Sequence, residues 1–398
     1  MQIGWIDFSK EDRKKVLSVM DLLSGDGALD ELGIAPIRDG FADLFFPGTS
    51  TIQTRAKYFL IVPYALYTLE RQPYLGAETM AKRLDDMERE CAERLVSLNA
   101  DRVIGVNAIK AKGWVKRTPA DIYWAGIRRY GIFQNDRMSL AEYIRAYNAI
   151  KKRKQDAKKL GNRNDDAGDN GSDDTDAGAL YSKPFWYLPS YSENWKDTLK
   201  MELTRDEACF LKQQIATTQK NSMFSYILDN NMHNIAAIRN FADFSESRGV
   251  LGFPLEHQKD HAMALGFSNF IYGVFLRYNM ILLGEKHTEV AGKWEKYTEK
   301  LTEHYDIDID AIFDRLKIAR KNSLYTFLNE VKRLMRLEDT PALDKCIKNR
   351  EKNLKGEARA KAHRAGEFDK WVGMDKLDYR FSNAMTIARD IFRGLEVE

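Results

Sequence analysis

The sequence has few of the features that mark exported, disulfide-bonded or membrane-spanning proteins. Its 398 residues include only three cysteines, and these form no CxxC pair, so neither a disulfide framework nor a cysteine zinc site is indicated. The N-terminus contains no apolar signal core, and no run of about 18 uncharged apolar residues occurs anywhere. We therefore expect a protein of the reducing cytoplasm with no membrane partner.

Motifs for nucleotide, metal and nucleophile chemistry are also missing. The chain has no GxxxxGK[ST] loop, no GxSxG elbow and no acidic cluster of the kind a metal-dependent nuclease needs. His257 and His261 stand four apart, but Gln258 occupies the position of the glutamate in zinc proteases. The sequence thus indicates no metal and no organic cofactor. Its residues favour hydrolysis by an activated water over nucleophilic catalysis.

The composition is that of a folded protein with a nearly balanced charge. Hydrophobic residues make up 44% and aromatic residues 11% of the chain, which supplies material for the cores of two or three domains. The 62 basic and 59 acidic residues leave a net charge of +3. This balance permits nucleic-acid binding without arguing for it, so any basic surface must arise from local segregation.

Helical periodicity dominates the chain. Amphipathic helices are predicted over residues 9–23, over 56–69 with Pro63 as a candidate break point, and over 78–98. Thr118 with Pro119 resembles a helix start. A buried central helix is favoured over a membrane span for 263–283. Residues 4–8 and 101–106 are the only short stretches that suggest strands. The predicted fold is mainly α, a multi-helix globular protein with few short strands.

Changes in composition suggest three parts. Residues 1–150 form a predicted N-terminal helical domain and 181–398 a C-terminal helical domain. Between them, the basic run KKRKQDAKKL passes into a segment without large apolar residues, so 151–180 is predicted to be a flexible charged loop or linker.

The segment 36–64 holds the densest collection of polar functional groups in an apolar context, and such groups need partners or a purpose. Asp39 and Asp43 stand four apart, so on one helix both carboxylates share a face, where one can act as a base. A structural ion pair of Asp39 with Arg38 or Arg55 is an equally weighted alternative. The other candidate residues of this segment are Thr49, Ser50, Thr51, Gln53, Lys57 and Tyr58.

Two further features suggest anion binding. The turn at Pro47 and Gly48 leads into hydroxyl residues that can bind a phosphate, although an ordinary helix cap is the commoner role. Residues 110–133 combine cations with aromatic side chains, a mixture that holds nucleic-acid backbones and stacks bases. A solvated helix face explains the same pattern equally well. The basic candidates here are Lys116, Arg117, Arg128 and Arg129.

Three segments carry a resemblance to known proteins: GWIDFSKEDRKKVLSVMDLL, IRDGFADLFFPGTSTIQTRAKYFLIVPY and GWVKRTPADIYWAGIRRYGIF. They resemble an uncharacterised bacterial domain family whose members occur in phage-defence loci, and the likeness covers nearly the whole chain. Within that setting the sequence is similar to an anti-phage DNA glycosylase that removes glucosylated hydroxymethylcytosine from phage DNA. Neither the helix-hairpin-helix loop nor the water-activating motif of other glycosylases is present, so their folds do not transfer.

The resemblance implies a hydrolase that excises a modified base from double-stranded phage DNA without a cofactor. A flipped nucleotide would enter an aromatic-lined pocket and a carboxylate would activate water. Asp39 is the first candidate for that carboxylate and Asp43 the second. Arg55 and Lys57 would hold phosphates. Thr51, Gln53 and Tyr58 would read the base. Trp5 and Phe46 are candidate stacking surfaces, although a core role is favoured for both.

A non-enzymatic alternative stays open. A DNA-binding or scaffold subunit of a multi-gene defence system, acting beside operon partners, explains the basic tracts without any catalytic residue. The glycosylase hypothesis predicts Asp39 in an open pocket rimmed by cations, whereas the scaffold hypothesis predicts Asp39 sealed in an ion pair.

Overall fold

A computed structural model describes residues 30–161, 185–284 and 287–397. The predicted helix 9–23, the candidate strand 4–8 and Trp5 lie outside the described residues, as does most of the predicted linker. Within the described ranges helices form nearly all of the regular structure, and the pairing recorded between extended segments is one antiparallel bridge between Phe133 and Trp186. The mainly α, multi-helix fold is confirmed.

The chain divides into two compact units, each built from two separate stretches. The first unit comprises Met1–Phe41 and Pro254–Tyr379, and the second comprises Ala42–Phe253 and Arg380–Glu398. These units do not coincide with the sequence boundaries at 150 and 181, because residues distant along the chain pack together. The three-part division stays a prediction.

Helices of the N-terminal half follow one another closely. They are α1 (Ala35–Phe45), α2 (Tyr58–Arg71), α3 (Ala77–Ser97), α4 (Val106–Lys110), α5 (Pro119–Arg129) and α6 (Leu140–Gly161). The second described range begins with no helix and then contains α7 (Arg205–Thr218), α8 (Met223–Asp229), α9 (His233–Ala236) and α10 (Phe241–Glu246).

The remaining helices are α11 (Leu255–Leu283), α12 (Thr288–Thr298), α13 (Leu301–Tyr305), α14 (Ile309–Arg315), α15 (Ser323–Arg336), α16 (Thr340–Lys355) and α17 (Phe381–Leu395). Short 3-10 turns cover Gly249–Gly252, Glu357–Arg359 and Lys361–Arg364.

Helix α2 is the central element of the second unit. Its residues from Tyr58 to Leu66 are all buried, so the helix is apolar on every side, as a core helix must be. It continues through Pro63 without the predicted break, because proline removes a single backbone hydrogen bond and burial of the neighbouring turns compensates. Helices α3 and α5 pack against it, and α17 packs against α7.

Two local signals of this unit agree with the structure, and besides the break at Pro63 one further signal differs. The predicted surface helix 78–98 is α3, with its apolar stripe buried. Thr118 caps α5 and exchanges hydrogen bonds with Asp121, while Pro119 occupies the first turn. The candidate strand 101–106 is wrong, because these residues form turns that lead into α4.

The first unit is organised around α11, which runs through 29 residues. Seventeen of its residues are buried, and they include Arg277 and Asn279. Arg277 pairs with Asp344 at 2.6 Å, so the charge inside this helix is compensated as burial requires. Across the described parts of the chain, no helix has the length and apolarity needed to cross a membrane.

Candidate active site

Asp39 lies on α1 and forms an ion pair with the residue before it. Arg38 donates from Nε and Nη2 to the two carboxylate oxygens at 3.0 Å and 3.1 Å. The Asp39 side chain still exposes 43% of its surface. Asp39 is therefore paired but not sealed, so neither the glycosylase nor the scaffold expectation for this residue is met in full.

Asp43 lies four residues further along the same helix and has its own arginine. Arg380 donates from Nη1 to Oδ1 of Asp43 at 2.5 Å and to the carbonyl of Thr49 at 2.9 Å. The Asp43 side chain is 62% exposed. An exposed carboxylate with an arginine partner is typical of a structural ion pair.

Hydrogen bonds within the second unit occupy the Thr49 hydroxyl and the Gln53 amide of the turn after α1. The Thr49 hydroxyl donates to the carbonyl of Phe46 at 2.6 Å. The Gln53 amide accepts from the Ser50 N–H and donates to the Gly48 carbonyl. The turn therefore uses the Thr49 hydroxyl and the Gln53 amide to hold its own backbone, whereas the hydroxyls of Ser50 and Thr54 are buried without a hydrogen-bond partner among the described residues.

Helix α17 holds the same turn from the other side. The amide of Asn383 donates to the carbonyls of Thr51 and Gln53 at 3.2 Å and 2.7 Å. The backbone N–H groups of Thr54 and Arg55 donate to the hydroxyl of Tyr123 at 2.8 Å and 3.1 Å.

Arg55 and Lys57 are buried in ion pairs. The Nε of Arg55 donates to both oxygens of Asp390, at 3.1 Å and 2.8 Å. The ammonium group of Lys57 donates to both oxygens of Glu207, at 2.7 Å and 2.6 Å. Because both cations are desolvated and already paired with carboxylates, a structural role is favoured for them over the predicted phosphate contact.

Tyr58 is also part of the core. Its ring is 2% exposed and its hydroxyl accepts a hydrogen bond from the N–H of Ile104 at 2.9 Å. Burial raises the pKa of this phenol. Phe46 is fully buried as well and packs edge-on against Phe224 and Phe381. This placement is the core role considered for Phe46 beside that of a stacking surface.

An aromatic cavity lies elsewhere in the second unit, beside the C-terminal end of α2. Its volume is about 480 Å³, within the ~300–1,000 Å³ typical of ligand sites. Aromatic side chains dominate the wall, which also contains Glu70, Ile150 and Lys154. The aromatic members are Tyr67, Tyr147, Phe185, Trp186, Tyr187 and Tyr191.

Glu70 is the carboxylate of this cavity. Its Oε1 accepts hydrogen bonds from the Tyr143 hydroxyl at 2.5 Å and from the Trp186 indole at 3.0 Å. The described residues give the carboxyl group no other hydrogen bond, which leaves Oε2 for a molecule in the cavity. Burial raises the pKa of Glu70, although these two hydrogen bonds and the charge of Lys151 oppose the rise.

Helix α6 presents a stripe of side chains to this end of α2. Tyr143, Tyr147 and Lys151 recur every four residues and so share one helix face. The hydroxyl of Tyr147 donates to the Glu70 carbonyl at 2.5 Å, and the ammonium group of Lys151 donates to the same carbonyl at 2.6 Å. These groups satisfy backbone acceptors that a helix end leaves open and hold Glu70 in place.

The arrangement has the parts of a general-base site. A carboxylate whose pKa is raised by burial, with one oxygen anchored and the other without a hydrogen bond among the described residues, can accept a proton from water. Flat aromatic walls can stack a planar ring on either side. Neither element needs a metal, and within the described residues no cluster of three or more potential metal ligands occurs.

A second cavity, of about 430 Å³, carries two of the predicted basic residues. Arg128 and Arg129 line it together with Asp136 and Gln219. Arg128 donates to the Asp136 carbonyl at 3.0 Å, and Arg129 donates to the Gln219 side chain at 3.0 Å. The Nε of Arg128 is buried and has no hydrogen-bond partner among the described residues.

The chain links the two cavities directly. Immediately after α5, the backbone of Ile132 and Gln134 exchanges hydrogen bonds with that of Phe185 and Tyr187, at 2.8 Å and 2.9 Å. The arginine pair therefore stands a few residues from the segment that builds the aromatic wall. Lys116, exposed, and Arg117, half-buried, stand just before α5.

Sequence reasoning missed Glu70, although a signal was present. Glu70 is the single acid of α2 and follows a long run of mostly apolar residues, just before the terminal Arg71. A charged residue in such a position calls for polar partners, and its partners lie 73 and 116 residues away. Only the folded chain brings these residues together.

Comparison with known proteins gives a partial match. A model of a family of unknown function (DUF6361) matches residues 1–160, which include α1 to α5, nearly all of α6, and therefore Glu70 and its α6 partners. The match covers less of the chain than the likeness stated from the sequence. No curated protein and no solved structure matches the chain.

Proposed function

We propose that this protein is a DNA glycosylase that excises glucosylated hydroxymethylcytosine from phage DNA and thereby acts in anti-phage defence. The substrate follows from the resemblance drawn from the sequence. The observation that carries the chemistry is the aromatic cavity with Glu70 in its wall, because base excision needs a stacking pocket and a carboxylate in one place.

In this mechanism the modified nucleotide leaves the DNA stack and its base enters between the aromatic walls. Oε2 of Glu70 takes a proton from a water molecule, and the water oxygen attacks C1′ of the sugar. The N-glycosidic bond breaks, and its electron pair leaves with the base. Tyr143 and Trp186 hold Oε1, so the carboxylate keeps one orientation while the sugar develops positive charge.

The arginine cavity supports the DNA-binding part of the proposal. Arg128 and Arg129 can hold backbone phosphates beside the aromatic wall, and Lys116 and Arg117 stand at the start of the same helix. Arginine suits this task because its planar donors match phosphate oxygens. Asp39 and Asp43 are less suitable as the catalytic carboxylate, since each is exposed and paired with an arginine.

The second candidate is a DNA-binding or scaffold subunit of a defence system. The ion pairs of Asp39 and Asp43 favour it, and so does the arginine cavity, which needs no chemistry. It gives no reason for a half-buried carboxylate with a raised pKa in an aromatic cavity, and such groups cluster at functional sites.

The test compares DNA containing glucosylated hydroxymethylcytosine with unmodified DNA of the same sequence, without added metal. Abasic sites are detected by alkaline cleavage and the released base by mass spectrometry. The variant Glu70→Gln keeps the shape and the acceptor for Tyr143 and Trp186 but cannot take a proton. Glu78→Gln, an exposed acid on α3, is the matched control, and Asp39→Asn and Asp43→Asn are measured alongside.

We expect abasic sites in the modified DNA alone, their loss in Glu70→Gln by about 100-fold or more, and normal activity in Glu78→Gln. Loss of activity in Asp39→Asn or Asp43→Asn with full activity in Glu70→Gln would move the catalytic role to α1. No base release from either DNA, with salt-sensitive DNA binding intact, would leave the scaffold function.

A further inference from the structure

Two guanidinium groups of the second unit converge on one hydroxyl oxygen. Arg102 donates from Nη1 to Oγ1 of Thr386 at 3.0 Å, and Arg389 donates from Nη2 to the same atom at 2.9 Å. The hydroxyl itself donates to the Ser382 carbonyl at 2.9 Å. Its hydrogen-bonding capacity is therefore used, and it brings no negative charge to balance the two cations.

A third cation stands beside them. Arg393 is exposed and lies one helical turn after Arg389 on α17, so the two side chains are neighbours on one helix face. Burial, together with the positive charges of Arg102 and Arg393, lowers the pKa of Arg389. Three like charges at such close range destabilise one another unless an anion is present.

The nearby carboxylates do not supply that anion. Both oxygens of Asp390 are bound by Arg55. Asp101 approaches Arg102 only at 3.8 Å and its side chain is 82% exposed. Among the described residues no ion pair is formed by Arg389 or Arg393.

The structure holds the two converging arginines in place. Arg389 donates from Nη1 to the carbonyl of Ala236 at 2.5 Å. Arg102 sits in a tight turn with a left-handed φ of 55°, and the preceding carbonyl, of Asp101, accepts from Nη1 of Arg55 at 3.3 Å. The buried pair of Arg55 and Asp390 thus fixes the turn that presents Arg102, and little order remains to be gained on binding.

We propose that Arg102, Arg389 and Arg393 form a binding site for a phosphate group. Convergent guanidinium groups offer several N–H donors to the oxygens of a tetrahedral dianion, and its charge relieves their mutual repulsion. The same chemistry serves a backbone phosphate of DNA or the phosphate of a small ligand. This site is separate from the residues that the glycosylase proposal uses.

Inorganic phosphate is the first probe. Thermal unfolding of the full chain is followed in phosphate and in chloride at matched ionic strength, so that general screening is equal. We expect phosphate to raise the Tm of the wild type and of Arg89→Gln, an exposed control arginine paired with Glu93. The increase should vanish in Arg389→Gln and shrink in Arg393→Gln, with a loss of phosphate affinity of about tenfold per removed guanidinium.

Arg393→Gln is the variant that should fold normally, because the Arg393 side chain is exposed and makes no hydrogen bond or ion pair among the described residues. An equal phosphate effect in wild type, Arg389→Gln and Arg393→Gln would overturn the proposal, whatever the outcome of the base-release assay.

The source of the phosphate is decided by DNA binding. The slope of log Kobs against log salt is measured for wild type, Arg393→Gln and Arg89→Gln with unmodified duplex. A slope smaller by about 0.9 in Arg393→Gln alone identifies a DNA phosphate. An unchanged slope, together with a lost phosphate effect on Tm, supports the site with a small phosphorylated ligand as its occupant.

Discussion

The hydroxyl of Tyr143 donates a 2.5 Å hydrogen bond to Oε1 of Glu70 and so joins α6 to the C-terminal end of α2. The bond stabilises the charged carboxylate, whereas burial favours the protonated form. The protonation state of Glu70 therefore depends on a balance between its partners and its environment. If Glu70 is the general base, this balance sets the pH range in which the protein acts.

Tyr143→Phe should shift the acidic limb of the pH–rate profile to higher pH. Removing the hydroxyl takes away a hydrogen bond that lowers the pKa of Glu70, so the pKa should rise further. Base release is measured across pH, and activity well above the limb should stay close to wild type. Tyr147→Phe is the control, because its hydroxyl binds the Glu70 carbonyl. An unmoved limb in Tyr143→Phe contradicts the role of Glu70 as base.

Tyr187→Ala should weaken substrate binding without affecting stability. Tyr187 lines the aromatic cavity and its side chain is 52% exposed, so the fold depends on it little. Loss of one stacking surface costs about 1–3 kcal/mol per base, which raises KM for modified DNA by about 5-fold or more. Tyr74→Ala removes a 38% exposed tyrosine outside the cavity wall and should leave KM unchanged. Equal KM values for the two variants would rule out stacking on Tyr187.

Lys57→Met should destabilise the protein and leave its salt-dependent DNA binding unchanged. Without Lys57 the Glu207 carboxylate is buried unpaired, at a cost of about 3–5 kcal/mol. The double variant Lys57→Met with Glu207→Gln should recover much of the loss. Urea unfolding measures the stability, and the slope of log Kobs against log salt measures the phosphate contacts. A slope smaller by about 0.9 in Lys57→Met would restore the phosphate contact predicted from the sequence.

Glu88 should make the fold less stable as pH rises. Burial raises the pKa of Glu88 from 4.5 to about 8, although the Ala120 N–H donates to it at 2.6 Å. The folded state then binds a proton that the unfolded state has released, so its stabilising effect is complete below pH 4.5 and is lost as pH rises to about 8. The free energy of unfolding should fall by up to about 1.4 kcal/mol per pH unit in this window.

Urea unfolding of Glu88→Gln should show a flatter pH dependence across the same window, because the amide stays neutral. Glu78→Gln, with its exposed side chain, should behave like the wild type. A Glu88→Gln profile that falls as steeply as the wild-type profile would place the titrating group elsewhere.

Local signals predicted the helices well. The start of α5 depends on the cap Thr118, on Pro119 in the first turn and on Asp121, which all lie within four consecutive residues. The apolar stripe of α3 repeats at helical spacing over one continuous segment. Such features are encoded by neighbours along the chain, so periodicity and capping chemistry suffice to find them.

The polar segment 36–64 shows what neighbouring residues alone cannot predict. The sequence indicates that the polar residues of this segment need partners, because charged and amide side chains lie there in an apolar context. It could not say whether the partners are protein groups or a ligand. The partner of Arg55 is Asp390, 335 residues away, and pairings at that distance leave no local pattern.

By itself, the sequence determined the helical class of the fold, the bounds of several helices and the need for partners around its embedded polar groups, since these follow from short-range geometry and desolvation. The tertiary structure alone decided that Arg55 and Lys57 face carboxylates inside the core. It also decided that Glu70 meets Tyr143, Trp186 and an aromatic cavity, because packing of α2 against distant segments, rather than residue spacing, brings those groups within hydrogen-bond distance.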